Sequence, residues 1–331
     1  MRVGMTLPDP ARYAIDAAKV IGADYADLDD GGGYLFRVSK GGKSIVLGAG
    51  GICSFPINSA AAYTLSRDKA HTKSVLKEAG LPVIPGALFF AHKRRAGLRG
   101  PGREADDARA FAARLGYPVF AKPNQGSRGN FAEILADDAA LSGYIGRVAV
   151  EFESFLIEPV IRGAEHRVLV HDGRPVFHAM KQAPALIGDG SSTVSRLLDG
   201  LNGELAGSGV SPYPSSVIVL TGRSAASVPA KNEQIPLPGR RNLSAEGEIE
   251  SFSTDAPPSL AVLAVLAAKA VAALGLRIGA VDMFDASSAG DLSDMLVIEV
   301  NGNPGLKTLE LAGRSDLIRA IWTSMLDESL R

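Results

Sequence analysis

Two apolar strands near the C-terminal end, each carrying acids, constrain this chain more than any other feature. Residues 297–311 read VIEVNGNPGLKTLEL. Val297, Ile298 and Val300 have the pattern of a buried strand that runs into a glycine turn. Glu299 and Asn301 stand two residues apart, and so share one face of that strand. A carboxylate buried there without a partner is costly, so either the strand end opens to solvent or something meets the charge. The strand before it, IGAVDMFD at 278–285, places Asp282 among apolar neighbours. The polar turn ASSAGDLSD joins the two, and a hairpin-like return brings Asp282 beside Glu299. Two acids and one amide oxygen form an oxygen-only donor set. Hard cations of the magnesium type take such sets and share their coordination with substrate phosphates.

The 331 residues are length for two or three domain-sized units with large cores. A chain that is 46% hydrophobic and 21% charged is folded rather than disordered. The 35 basic residues balance 36 acidic ones, and no basic stripe with interleaved aromatics appears, so no nucleic-acid partner is expected. Cys53 is the single cysteine, which excludes internal disulfides and cysteine-based zinc sites and favours a reducing compartment. The opening residues show no apolar core behind a basic end, and no run of about 18 apolar residues occurs. The expectation is a cytoplasmic protein with no membrane partner, for which a homodimer is an open assembly.

Along the chain, helices are predicted at Ala11 to Ile21, 67–82, 106–116 and 259–276, and strands at 44–51, 87–90, 117–123 and 278–285. Asp172-Gly173 marks a hairpin turn. The segment 91–108 reads as a loop, basic then acidic, whose cations Lys93, Arg94, Arg95 and Arg99 suit a solvated surface. Residues 183–257 are rich in Gly, Ser, Pro and Asn, and a stretch of that length is usually functional or mobile.

Lysines suggest what the acids serve. Lys122 lies on an apolar strand just before the glycine-bearing turn NQGSRGN, and Lys181 ends another strand. The turn lacks the lysine–serine/threonine ending of a Walker loop, yet its small residues let backbone N–H groups approach a phosphate. Either lysine alone would simply snorkel to water. Two of them beside metal ligands point to phosphate neutralisation. His166 and His171, an odd number apart on one strand, face opposite ways, and His71, His92 and His178 suit surface or packing roles.

The ordered motifs DKAHTKSVLKEAGLPV, YPVFAKP with QGSRG, IEPVIRGAEHRVLV, GAVDMF and VIEVNGNPG resemble the ATP-grasp ligase superfamily, over about residues 58–310. The stretch from EHRVLVHDGRPVFH to RRNLSAEGE resembles the ATP-grasp part of the cyanophycin synthetases. D-alanine–D-alanine ligase and glutathione synthetase are more distant likenesses. The resemblance implies α/β lobes, of α+β character, that clasp ATP: a pre-ATP-grasp domain at 1–84, a lid at 85–157, and a C-terminal lobe at 158–331 with a substrate loop at 202–257. It implies Lys69 and Lys122 at the phosphates with Gly126 and Ser127, and Lys181 at the nucleotide from the other lobe. Glu158, Pro159 and Val160 would meet adenine by backbone and carboxylate, and Glu165 the ribose. Asp282, Glu299 and Asn301 would bind two Mg²⁺ ions, with Mn²⁺ an alternative.

The implied reaction is attack of a carboxylate on the γ-phosphate of ATP, then attack of an amine on the acyl phosphate, with ADP and phosphate released. Many relatives place an arginine just before the strand aspartate, where this chain has Gly279 and Ala280. Arg241 is the first replacement candidate and Arg167 the second. Arg241, Lys307 and Arg314 are candidate holders of a substrate carboxylate on an amino acid or short peptide. The NLS loop continues AEGE where a glycine pair is expected, and the Mur-ligase-like domain of the cyanophycin synthetases has no counterpart in these residues. One amide bond per cycle is therefore expected. An ATP-grasp kinase and a non-catalytic nucleotide-binding module are the alternative readings.

Overall fold

The computed structural model describes residues 7–127, 129–181, 183–207, 210–239, 249–250 and 260–331. The chain opens with α1 (Asp9–Ile21), then a three-stranded meander of β1 (Asp24–Asp27), β2 (Leu35–Lys40) and β3 (Lys43–Gly48). Two helices follow, α2 (Ala60–Arg67) and α3 (Lys69–Glu78). They divide the single helix expected over 67–82 from what precedes it, because Asp68 leaves helical geometry and caps α3 through the His71 N–H.

A four-stranded antiparallel sheet comes next. It takes β4 (Ala87–Phe90), β5 (Val119–Pro123), β6 (Glu133–Leu135) and β7 (Ser154–Pro159) in the order β4-β7-β5-β6. Helices α4 (Ala105–Leu115) and α5 (Asp138–Val148) cover it, burying Ala108, Ala112, Leu141 and Tyr144 against Val119, Phe155 and Ile157.

The largest sheet begins with the hairpin β8 (Glu165–His171) and β9 (Arg174–Lys181), turned at Asp172-Gly173 with both residues at positive φ, as an Asp-Gly hairpin turn requires. The chain then leaves for a small unit: β10 (Ala185–Ile187), α6 (Val194–Gly207), α7 (Val217–Leu220) and β11 (Gln234–Pro236). Regular helices thus occupy part of a segment that shows weak periodicity in sequence. After β12 (Ile249–Glu250) and α8 (Leu260–Ala273), strands β13 (Ile278–Asp285) and β14 (Met295–Asn301) complete the order β12-β9-β8-β13-β14. Short α9 (Lys307–Leu311) and α10 (Ser315–Ser329) end the chain.

The five-stranded sheet has two unlike faces. Val168, Val170, Val281, Met283 and Val300 face α8 and form its core with Leu263 and Val271. The other face begins apolar, with Leu169, Phe177, Ile278 and Ala280 packed against α1 and α10. Further along the same strands it turns charged. Asn58 pins the junction: its amide donates to the carbonyls of Ile278 and Gly302 and accepts from the N–H groups of Arg277 and Ile278. No helix among the described residues is long and apolar enough to cross a membrane.

Candidate active site

Register decides what stands on the charged face. Asp282 pairs with Arg167 on one side and Glu299 on the other, and Glu165 pairs with Lys181 one step along. A bulge at Ile298 sets this row: Asp282 pairs with Glu299 but Met283 with Val297. Without the extra residue, Val297 would share the face of Glu299 and Asn301. With it, Val297 enters the core and both polar side chains stay on the open face.

Two acids directly opposite on neighbouring strands repel. Cations answer them. Arg167 grips Asp282 with Nε at 2.6 Å and Nη2 at 2.7 Å, and Lys181 Nζ donates to Glu165 at 2.6 Å and to Asp282 at 2.8 Å. Burial pushes the Asp282 carboxyl up, but Arg167 and Lys181 outweigh it and hold it well below the usual carboxylate range. Glu299 is the more open acid, its side chain 25% exposed against 1% for Asp282.

The donor set fits a hard cation. Asn301 Nδ2 is 3.4 Å from a Glu299 oxygen and 3.5 Å from an Asp282 oxygen, both long for hydrogen bonds. Amide O and N are exchangeable in assignment. Turned over, the amide oxygen joins two carboxylate oxygens at spacings near the ~3.0 Å that separates adjacent ligands of an octahedral ion bound at about 2.1 Å. No group of three or more His, Cys, Asp or Glu placed for a metal occurs among the described residues. The donors here are two acids and an amide.

Above this floor lies the four-stranded sheet, across a cavity of about 1190 Å³. Asn124, at the end of β5, holds the start of α3, its carbonyl accepting from the Lys69 N–H and its side chain from the Ala70 N–H. Lys69 is thereby aimed into the cavity, donating to Gly126 O at 2.8 Å and lying 3.4 Å from Glu299. Lys122 Nζ is buried 3.0 Å from Glu158 but makes no directed hydrogen bond. A buried ammonium with donors to spare suits an anionic ligand such as a phosphate.

The Glu158 carboxylate has other partners than a base. It is fully buried, one oxygen in close contact with Lys73 and the other facing Lys122. Burial pushes it up, yet Lys122 and Lys73 leave its pKa lowered, while burial pulls Lys73 down to about 8 against the attraction of Glu158. Lys73 also donates to Ile84 O at 2.9 Å. Its role was missed in sequence, although it lies one helical turn after Lys69 and three residues before buried Leu76.

The cavity is lined by Lys69, Lys122, Gly126, Ser127, the Glu158–Val160 connector, Glu165 and Lys181. Arg167, Asp282, Glu299 and Asn301 line it as well. Lys307 and Arg314 are not brought to it: Lys307 pairs with Glu310, and Arg314 with Asp316, on the surface. Arg241 lies outside the described residues. The far wall was not legible in sequence. Asp9, Tyr13, Ser54, Asn303 and Trp322 meet there from four distant segments, with the Ser54 N–H donating to Asn303 Oδ1 at 3.0 Å.

No protein-family model matches the chain. It is 27% identical over 279 residues to a cyanophycin synthetase of Synechocystis sp., a match that covers 80% of this chain and 30% of that protein. A glutathione biosynthesis bifunctional protein of Streptococcus mutans is 24% identical over 257 residues, covering 72% of this chain and 32% of that one. This chain thus spans under a third of the length of the curated relatives it matches. A D-alanine–D-alanine ligase of Bacillus anthracis shares the fold, with a TM-score of 0.50 and 17% identity over 82% of this chain and 69% of that one. By the order of its motifs, these matches and its fold, the chain is a member of the ATP-grasp superfamily. Within that superfamily, its sequence is similar to about 30% of the length of the cyanophycin synthetases rather than to the whole of them.

Proposed function

We propose that the chain is an ATP-dependent carboxylate–amine ligase that joins two small amino-acid-like partners through an amide bond, with release of ADP and phosphate. One observation carries the reading: Asp282, Glu299 and Lys181 on the floor and Lys69 and Lys122 above them line one cavity. A triphosphate with its cations would complete that charge pattern.

In this reading residues 85–157 act as a lid over 158–331, with 1–84 as the third unit. Lys122 and Lys69 hold the phosphates from the lid side and Lys181 from the floor. The connector Glu158–Val160 borders the adenine with its backbone, while the Glu158 carboxylate fixes Lys73 and Lys122. Glu165 is placed for a ribose. Asp282, Glu299 and Asn301 would hold Mg²⁺, two ions in all or Mn²⁺ in their place; bound there, the metal supplies charge neutralisation on the phosphates. The first partner's carboxylate attacks the γ-phosphorus, giving an acyl phosphate and ADP. The second partner's amine then attacks the acyl carbon and phosphate leaves. Arg167, its guanidinium fixed in orientation by two bonds to Asp282, is the described candidate to stabilise charge on the acyl oxygen. It reaches the site from β8, the neighbouring strand, where Gly279 and Ala280 offer no side chain to do so. The name D-alanine–D-alanine ligase gives two amino acids as that protein's partners, which suits amino-acid-like substrates here.

A phosphate-release screen of amino acids and short peptides, singly and in pairs, tests the proposal. Release is expected only with ATP, Mg²⁺ and two partners, one giving a carboxylate and one an amine. If no pair supports release while a lone hydroxyl compound consumes ATP, the chain is a kinase instead.

A further inference from the structure

The unit between β9 and β12 has a core of its own. Leu186, Val194, Leu198, Tyr213, Ile218 and Leu237 pack together and share no residue with the cores of the larger sheets. A separately cored unit moves as a body unless something ties it down. This one nevertheless forms part of the cavity wall, through Leu220, Thr221 and Pro236 to Gly239, facing the turn at Gly126, Ser127 and Gly129.

The tie is a reciprocal pair of hydrogen bonds. The Ser211 N–H donates to Asn130 Oδ1 at 3.0 Å, and the Phe131 N–H donates to Ser211 Oγ at 2.9 Å. Because its partner is a backbone N–H, the Asn130 atom must be the oxygen. The same turn is closed by the Asn130 N–H on Ser127 O, at 3.1 Å. From Gly126 the connection continues to Lys69, and from Lys69 to Glu299. Holding Asn130 therefore holds the turn that faces the phosphate lysines.

We propose that Asn130 and Ser211 are positioning residues, a clasp that fixes the glycine turn against the inserted unit and so sets the grip on nucleotide. The proposal rests on the nucleotide reading of the cavity. It makes the inserted unit part of the ATP site and not only a wall for the other substrates. Two hydrogen bonds shift an open–closed balance by about tenfold, and one by about threefold to fivefold.

The test measures binding of a nonhydrolysable ATP analogue with Mg²⁺ by calorimetry, alongside hydrogen exchange of the Phe131 amide. Asn130→Ala and Ser211→Ala each remove one of the two bonds and should each weaken the analogue about threefold to fivefold, and the double variant about tenfold. Ser211→Thr retains the hydroxyl and should bind as the wild type does. Ser211→Ala should also speed exchange at Phe131, and the analogue should slow that exchange less than in the wild type. Unchanged analogue affinity in both alanine variants, with Lys122→Ala failing to bind, would overturn the clasp while leaving the nucleotide site intact. If Lys122→Ala also binds normally, the nucleotide reading has failed and the clasp falls with it.

Discussion

The two faces of the five-stranded sheet are built from alternate residues of the same strands, yet they answer to different physics. On β13, Asp282 looks into the cavity and Met283 into the core under α8, both essentially inaccessible to solvent. The core face gains from removing apolar surface from water, and its neighbours need only fill space. The cavity face places Asp282 and Glu299 side by side with Arg167 and Lys181 in attendance, an arrangement in which desolvation opposes much of the Coulombic gain. One face holds the protein together. The other is a charge array that hydrophobic residues would stabilise as well or better, which is a reason to look there for function.

Substitutions along this divide separate activity from stability. Asp282→Asn carries the largest combined effect. It weakens the contacts of two buried cations, and disrupting a buried pair costs up to about 3–5 kcal/mol. Loss of turnover and a lowered melting temperature should therefore appear together. Glu299→Gln is the cleaner test, because Glu299 is partly exposed and its volume is kept. Turnover should fall by about 10²–10³, the cost of losing one electrostatic stabiliser, with an unchanged thermal melt. Wild-type Mg²⁺-dependent rates in this variant would remove the metal assignment. Met283→Ala reverses the pattern. A cavity on the core face should cost about 2–5 kcal/mol in denaturant unfolding, while turnover well below the melting temperature survives. If Met283→Ala abolishes turnover in folded protein, the two faces are not separable.

Much of this division was legible in sequence because strands are periodic. Asp282, Glu299 and Asn301 stood out as polar residues in apolar strands, and the spacing put Glu299 and Asn301 on one face. The bulge at Ile298 was not legible. Parity alone assigns Val297 to the face of Glu299, and only the pairing with Met283 shows otherwise. Lys73 was hidden for a different reason: a lysine on a helix reads as solvent-facing until its buried partner Glu158, on a distant strand, is known. Arg167 was a second choice, since its pairing with Asp282 depends on which strand adjoins β13. The far wall of the cavity defeated sequence reading altogether. Asp9, Ser54, Asn303 and Trp322 come from segments with no shared periodicity, joined only by tertiary packing.

That wall extends the comparison along the cavity face. Asn303 accepts from the Ser54 N–H and lies just past β14, so Asn303→Ala should loosen the wall without touching the charge row. Screened against a supporting pair of partners, it should raise the KM of one partner about threefold to fivefold, the worth of roughly one hydrogen bond, and leave the KM for ATP alone. An effect on ATP only would move the partner site elsewhere in the cavity.

A pH dependence sharpens the core face, where His178 stands opposite Val168 on the neighbouring strand. Its ring stacks on His166, with His178 Nε2 and His166 Nδ1 2.9 Å apart, and His166 in turn helps lower the Asp285 carboxyl. Burial, and then His166, pull the His178 pKa from 6.5 down to about 4. Between those two values the unfolded chain binds a proton that the folded chain does not. Stability is then full above the unfolded value and falls as pH drops through the window, by at most about 1.4 kcal/mol per pH unit. The melting temperature should accordingly decline from about pH 7 to about pH 4.5. His178→Gln, which has no proton to take up in the unfolded state, should decline less steeply over the same range. Equal slopes in the two proteins would mean that His178 titrates alike folded and unfolded, and that this part of the core face is wetter than its burial indicates.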